Sequence, residues 1–361
     1  MVYVTYIQPH SLVTEHRATI EELLFQAAGY TNDYQNYSKN FFKMRTFSVS
    51  KPRGFLLYLL EDKLNTPFTK EYIQFRIPKS SGGTRLIEAP TEELKTLQKD
   101  ITNILQNYYK ILPHNAAYAY TRGRCAYDAL VTHQRNKARW FLKIDIKDFF
   151  PSITVELLKD KLPTIYPLNW LSESYLDKLI DIATNNHNVL PQGSPLSPLL
   201  SNLIMVGFDL ALSSKLRRFE YQTYTYTRYA DDMLISCPYA FEFQKIVEVI
   251  EELFTEFNLP FQISKHKLRY ASAAGRNWNL GLMYNKDLKI TVGTKRKKEL
   301  HSLVNSFVVE YPWDIQTTQE LIGKLGYLKN VEPDYYDTLI HKYESKYNVD
   351  IHSMFKDILN S

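Results

Sequence analysis

Cysteine is nearly absent. Only Cys125 and Cys237 occur among 361 residues. Two sulfurs so placed give neither zinc-ligand spacing nor a disulfide framework, which fits a reducing cytosol. No apolar run is long enough to cross a bilayer and no signal peptide is evident, so a cytoplasmic protein without a membrane partner is expected. No internal repeat and no low-complexity linker interrupts the chain. Its length then suits one multi-lobed enzyme or two to three small domains. Charge of one sign is also scarce: 44 Lys and Arg against 39 Asp and Glu leave a net +5. Aromatics are plentiful, with 27 Tyr and 19 Phe. They suit stacking on bases and sugars, and equally suit a large core.

Two acidic segments stand out. Tyr224–Cys237 reads YTYTRYADDMLISC. Runs rich in aromatic and β-branched residues flank Asp231-Asp232, which predicts a β-hairpin with the acidic pair at its tight turn. Adjacent carboxylates repel unless a cation neutralises them, and Mg²⁺ takes oxygen ligands and bridges phosphates. By itself the pair is equally an Asp-Asp turn in water. Lys143–Ile153, KIDIKDFFPSI, shifts that balance. Alternation puts Ile144 and Ile146 on one face of a strand and Asp145 on the other. Only a folded sheet brings Asp145 to Asp231 and Asp232. Three carboxylates on neighbouring strands can hold two divalent ions. Such ions, ~4 Å apart, activate a 3′-hydroxyl and steady a leaving pyrophosphate in an in-line displacement.

Four further segments complete an ordered set: Tyr72–Pro90 (YIQFRIPKSSGGTRLIEAP), Leu190–Asn202 (LPQGSPLSPLLSN), Gln262–Lys267 (QISKHK) and Asn279–Asn285 (NLGLMYN). The set resembles the reverse transcriptases of the prokaryotic branch, which holds retron, group II intron-like and defence-associated standalone enzymes. It spans about residues 70 to 295. YADD alone is a weak signal, whereas six motifs in order are a strong one. The resemblance implies an α+β, right-hand polymerase fold. An N-terminal helical extension would occupy 1–70 and the fingers 71–142. The palm, an antiparallel sheet with helices, would occupy 143–293, with part of the fingers at about 155–190, and a helical thumb 294–361.

The resemblance also implies roles. Asp145, Asp231 and Asp232, with the backbone carbonyl of Ile146, would hold two Mg²⁺ ions, Mn²⁺ being the alternative. Lys79 and Arg85, at the ends of a Ser-Gly-Gly turn, would reach the triphosphate of the incoming nucleotide; the competing reading is a solvated turn. Phe150 would be the steric gate that clashes with a 2′-hydroxyl. The alternative is that Phe149 and Phe150 are both core, although strand neighbours point to opposite faces. Gln192 would contact the incoming nucleotide and template, and Gly193 would let backbone approach the base pair. Lys267 would act as general acid near the pyrophosphate, with Lys265 as competitor and a solvated lysine as the plain alternative. Arg122 and Arg124 would hold template phosphates, and Gly281 would serve a primer grip. Lys295, Arg296, Lys297 and Lys298 would lie along the duplex. They end a block of ten bases against the single acid Asp287, which favours a polyanion unless it is only a solvated face.

Periodicity predicts helices over Ala18–Ala28 and Phe55–Leu64, and one N-capped at Thr91 that buries Leu94, Leu97, Ile101, Ile104 and Leu105. Ser197 as N-cap with Pro198 at the first helical position would open a helix running through Leu199, Leu203, Ile204, Phe208 and Leu212. An amphipathic helix is expected over Phe241–Phe257, two short strands around Asn285, and helices over Arg296–Val309, Thr317–Leu328 and Tyr335–Tyr347. Lys43, Arg45, Lys51 and Arg53 read as solvated surface, with RNA contact as the alternative, and His133 as a structural or surface histidine rather than a catalyst.

Departures from the family's patterns narrow the expectation. Retron enzymes usually carry Val-Thr-Gly near the thumb, where this chain has NLGLMYN and ITVG. Diversity-generating enzymes have Ser-Gln where Ser197-Pro198 stands, and group II intron proteins add maturase regions. These differences point to a standalone bacterial enzyme in antiviral defence. It would copy a noncoding RNA into DNA from deoxynucleoside triphosphates, alongside an accessory or toxin protein. Two other readings remain: template-independent or protein-primed DNA synthesis at the same site, and a non-enzymatic RNA-binding scaffold.

Overall fold

Trp140–Asp145 is buried along almost its whole length, with Phe141, Leu142 and Ile144 inaccessible to solvent. So apolar a run is what a strand covered on both faces requires. It sits within a computed structural model that describes residues 53–78, 82–108, 112–218 and 223–360. The helix expected over Ala18–Ala28 and the bases Lys43, Arg45 and Lys51 lie outside the described residues. The chain forms two units. The first holds the described residues up to Arg124 with Ile144–Met233 and Glu242–Leu268; the second holds Cys125–Lys143, Leu234–Phe241 and Arg269–Ser361.

The first unit begins with α1 (Arg53–Leu64), which buries Leu60 and Leu64. Strands β1 (Tyr72–Pro78) and β2 (Thr84–Pro90) pair antiparallel from Tyr72↔Pro90 to Pro78↔Thr84. Helix α2 (Glu92–Asn103) widens into a π turn over Ile104–Tyr108, and the predicted stripe from Leu94 to Leu105 is buried. Thr91 takes the N-cap position, although its side chain makes no capping bond.

The second unit opens with α3 (Ala126–Arg135), and β3 (Trp140–Asp145) then carries the chain back to the first. The strand ends sooner than its sequence suggests. Lys147–Ser152 forms a turn, with Asp148 in the left-handed region at φ +46° and its carbonyl accepting from Ser152 N at 2.9 Å. The strand rule for Phe149 and Phe150 therefore does not apply, yet Phe149 is buried and Phe150 half-buried.

Helices α4 (Val155–Lys161) and α5 (Glu173–Ala183) follow in the first unit. The helix expected to run from Ser197 through Leu212 is broken. It comprises α6 (Ser197–Ile204) and α7 (Val206–Arg218), bent by 43°. Gly207 follows the bend, and a Cβ there would stand 2.8 Å from the ring of Phe257, so the break lets α7 lie close to that ring. Leu196, not Ser197, takes the N-cap position. No single described helix is long and apolar enough to cross a membrane.

Strands β4 (Thr225–Tyr229) and β5 (Asp232–Cys237) form a hairpin, followed by α8 (Phe243–Glu256). In the second unit β6 (Arg269–Ser272) pairs antiparallel with β3, from Trp140↔Ser272 to Lys143↔Arg269, and the four-stranded sheet has the order β4-β5-β3-β6. Around Asn285 lies a three-stranded sheet of β7 (Asn277–Asn279), β8 (Leu282–Tyr284) and β9 (Ile290–Thr291), one strand more than expected. Phe141 stacks on Trp278 at 4.9 Å, and the Tyr284 hydroxyl donates to Leu130 O at 2.6 Å. His133 is buried against Ser236 Oγ, and burial pushes its imidazole down to about 3, so it is a neutral core residue. Four helices end the chain: α9 (Gly293–Val309), α10 (Ile315–Val331), α11 (Pro333–Tyr347) and α12 (Ile351–Asn360). The α+β class expected from the sequence is the class observed.

Candidate active site

The site is built where three chain segments meet at the end of β3. Asp145 closes that strand and is only 6% exposed. On one side the 262–264 segment runs antiparallel to it: Lys147 N donates to Gln262 O and Ser264 N to Asp145 O, both at 2.8 Å. That pattern turns the N–H and C=O of Ile146 the other way. There Ile146 N donates to Asp231 O at 3.0 Å, which fastens the β4–β5 hairpin turn to the end of β3.

The turn itself is Ala230-Asp231, and Asp232 is already the first residue of β5. The expected acidic turn is thus displaced by one residue. Ala230 occupies φ +57°, as the first central residue of a type II′ turn does, although a Cβ makes that conformation costly. The displacement puts the two carboxylates on different footings, one on the turn and one on the strand. Burial, then the charges of Asp232 and Asp145, push the Asp231 carboxyl up to about 6, while Lys267 pulls it down.

Lys267 ends a short 3₁₀ turn that begins at Lys265. Its Nζ lies 2.9 and 3.0 Å from the two Asp145 oxygens. The Asp145 hydrogen bond is the main cause of its raised pKa. Of the two competing lysines, Lys267 therefore reaches the acidic cluster, while Lys265 lines a surface depression with Phe243 and Val247 of α8. An ammonium spanning both oxygens of one carboxylate, beside a carboxyl whose pKa is raised by burial and by two neighbouring carboxylates, marks a cluster short of positive charge. Hard carboxylate oxygens in that condition fit a divalent cation.

Around this cluster the first unit gathers several predicted residues. Phe150 meets Tyr120 edge-on at 6.3 Å. Tyr120, at φ +59° and exposed, was not anticipated from the sequence. Although the residue as a whole is exposed, desolvation at its hydroxyl end and then the Asp231 charge raise the phenol, and Arg85 lowers it. Arg85 is exposed on β2, whereas Lys79 lies outside the described residues. Gln192 accepts from Glu88 N through its backbone at 2.8 Å, and its buried Oε1 has no hydrogen-bond partner. Gly193 sits at φ +121°, where a Cβ would meet Ile87 Cγ2 at 2.9 Å and Glu88 O at 3.1 Å. The close approach its bareness permits is therefore to β2.

Two predicted bases are spent internally. Arg124 donates to Asn115 O at 2.6 Å and Ala117 O at 3.2 Å and covers the Tyr118 ring, while Arg122 is exposed. In the second unit Lys297 pairs with Glu332 at 2.5 Å, and Glu332 also accepts from Thr291 Oγ1 and Val292 N. Lys295, Arg296 and Lys298 stay exposed, with Arg296 over the Tyr327 ring. Gly281, at φ +89°, donates its N–H to Asn277 Oδ1 at 2.9 Å. Another group of potential metal ligands among the described residues, Glu344, Asp350 and His352, is accounted for by helix capping: Glu344 accepts from Ile351 N and Asp350 from Ser353 N.

The sequence pattern of the reverse transcriptase (RNA-dependent DNA polymerase) family matches residues 77–305. Retron Ec73 reverse transcriptase of Escherichia coli is 30% identical over 302 residues, covering 77% of this chain and 89% of that protein. Retron Ec83 reverse transcriptase of the same species is 30% identical over 294 residues, 75% of this chain and 86% of that one. Retron Mx65 reverse transcriptase of Myxococcus xanthus is 28% identical over 318 residues, 83% and 67%. A solved telomerase of Candida albicans aligns at 13% identity and TM-score 0.40 over 91% of this chain and 66% of that one, too slight a likeness to carry weight. The missing Val-Thr-Gly does not set the chain apart from retron enzymes, since these match along most of their length.

The raised Asp231 pKa has a measurable sign. Between about 4 and 6 the folded protein keeps a proton that the unfolded chain has lost, so metal-free stability falls as pH rises through that window. Asp231→Asn should remove this slope and stabilise the metal-free protein at pH 8 by on the order of 2 kcal/mol. Thermal melts in chelator at pH 4.5 and pH 8 check it, and parallel pH dependence in the two proteins contradicts it.

Proposed function

The chain belongs to the reverse transcriptase family, the RNA-directed DNA polymerases, and we propose that the cluster of Asp145, Asp231 and Asp232 is its polymerase site. The observation that carries this reading is the convergence of those residues with Lys267 where the β3 end, the hairpin turn and the 262–267 segment are hydrogen-bonded together. The family's chemistry uses divalent cations. Mg²⁺, with Mn²⁺ as substitute, suits three carboxylates and the Ile146 carbonyl, all hard oxygen donors. Two such ions would supply activation of a 3′-hydroxyl and neutralise charge on the leaving pyrophosphate.

The protein's own groups do the rest. Lys267, released from Asp145, holds the proton that the pyrophosphate takes up. Arg85, with Lys79 nearby in sequence, offsets triphosphate charge. Phe150, braced by Tyr120, lies under the sugar and excludes a 2′-hydroxyl. Gln192 offers an unspent side-chain oxygen to the nascent pair, next to Gly193. Arg122 and the exposed thumb bases Lys295, Arg296 and Lys298, with the Gly281 turn, hold phosphates. In this reading residues 71–142 are fingers, 143–293 palm and 294–361 thumb. The setting we propose is a bacterial antiviral system, in which the enzyme copies a noncoding RNA beside an accessory or toxin protein.

Asp145→Asn should lower deoxynucleotide incorporation on an RNA template at least ~100-fold, the loss typical of a removed charge-stabilising group, while the thermal melt stays cooperative. Near wild-type incorporation in Mg²⁺ contradicts the site. Phe150→Ala should raise the ratio of ribonucleotide to deoxynucleotide kcat/KM. If that ratio is unchanged and Phe149→Ala shifts it instead, the gate is misassigned. Replacing Lys295, Arg296 and Lys298 together by Gln should flatten the salt dependence of primer–template binding by about 0.7 to 0.9 per lost contact on a log–log plot. Products should shorten as well. Unchanged affinity, slope and product length would leave these bases as solvated surface.

A further inference from the structure

Arg228 lies in β4 with no exposed surface, and so does its partner Asp209 of α7. Its Nε donates to both Asp209 oxygens at 2.9 and 3.2 Å and its Nη2 to Oδ2 at 2.7 Å. The Tyr226 hydroxyl adds a bond to Asp209 Oδ1 at 2.7 Å. A buried ion pair is weak evidence for stability, because desolvating two charges offsets most of their attraction. What the pair accomplishes shows in the remaining nitrogen. Arg228 Nη1 donates to Ala230 O and to Asn202 Oδ1, both at 3.1 Å.

Those two acceptors lead to the two strained residues beside the acidic cluster. Ala230 holds φ +57° in the turn immediately before Asp231. Asn202 passes the connection on: its Nδ2 donates to Ala119 O at 2.8 Å, the residue before Tyr120 at φ +59°. The Arg228 backbone ties down the same loop, with Tyr118 N donating to Arg228 O at 2.8 Å and Arg228 N to Ala116 O at 2.6 Å. Non-glycine residues persist in the left-handed region only where their surroundings over-determine them. Here one guanidinium contributes to both, directly at Ala230 and through Asn202 at the Ala119 carbonyl, beside the Ile146 and Thr121 bonds to the same two segments.

We propose that Arg228, oriented by Asp209, is the positioning residue of the polymerase site: it holds Ala230 in the conformation that presents Asp231 and, through Asn202, sets Tyr120 beside Phe150. This rests on the reading of Asp231 as a metal ligand. Lysine cannot replace arginine in the role, since one ammonium cannot satisfy Asp209, Ala230 O and Asn202 together in a planar fork.

The test is a rescue. Arg228→Lys should lower kcat for single-nucleotide addition by about 100-fold, the cost of misplacing reacting groups by some 1 Å, with primer–template affinity unchanged. Adding Ala230→Gly should recover at least a tenth of the lost rate, because glycine adopts positive φ without help. A purely structural role predicts instead a lower melting temperature and no recovery. Unchanged turnover in Arg228→Lys, or a loss that Ala230→Gly does not relieve, overturns the proposal. If Arg228→Lys does not fold, Asn202→Ala serves. It should raise the nucleotide KM several-fold in a fold that still melts cooperatively at a somewhat lower temperature, since two buried hydrogen bonds are lost, and unchanged KM and kcat overturn the proposal. Asp231→Asn is assayed alongside; if it polymerises normally, the metal-ligand reading has failed and the proposal falls with it.

Discussion

Mutual repulsion of three carboxylates is the constraint that the first unit is built to withstand. Asp145 is nearly buried, and burial together with the charges of Asp232 and Asp145 raises the Asp231 carboxyl to about 6. Nothing in such a cluster is stable by itself. It is held by backbone bonds on two sides of one strand end and by a lysine bridging Asp145. A cluster in that condition gains from a cation, which supports reading it as a polymerase site.

The surroundings distribute that strain. Two residues with Cβ atoms, Ala230 and Tyr120, sit in the left-handed region on either side of the site, and neither is a glycine. Arg228, paired with Asp209, bonds the Ala230 carbonyl, and Asn202 bonds the Ala119 carbonyl just before Tyr120. Gly193, in contrast, is a glycine because β2 occupies the space a side chain would need. The first unit thus uses bare backbone where elements must touch, and hydrogen bonds where a turn must be held in an unfavourable conformation.

Much of this was legible beforehand. Asp145, Asp231 and Asp232 are marked by charge inside apolar, β-branched runs, and a short-range pattern of that kind survives folding. The turn came out one residue early because nothing local advertises an alanine at positive φ. The strand after Asp145 ended early because Asp148 bends the chain, and the Ser197 helix broke where Gly207 approaches Phe257. Sequence could not show that Arg124 bonds Asn115 O or that Lys297, one of the counted bases, pairs with Glu332. A charge count cannot see an acid 35 residues away. Arg228 was missed although a signal existed. An arginine within TYTRY and an aspartate within VGFDLAL are both charges in apolar elements, and such charges need each other.

Cation binding by these carboxylates, in the service of copying RNA, is what the proposed site stands or falls on. Its most direct test is the rate of single deoxynucleotide addition on a defined RNA template as free Mg²⁺ is varied at saturating nucleotide. No addition is expected in chelator, and the rate should climb at low Mg²⁺ with close to its second power before saturating, giving product complementary to the RNA. Addition that persists in chelator, or whose sequence ignores the RNA, would contradict it.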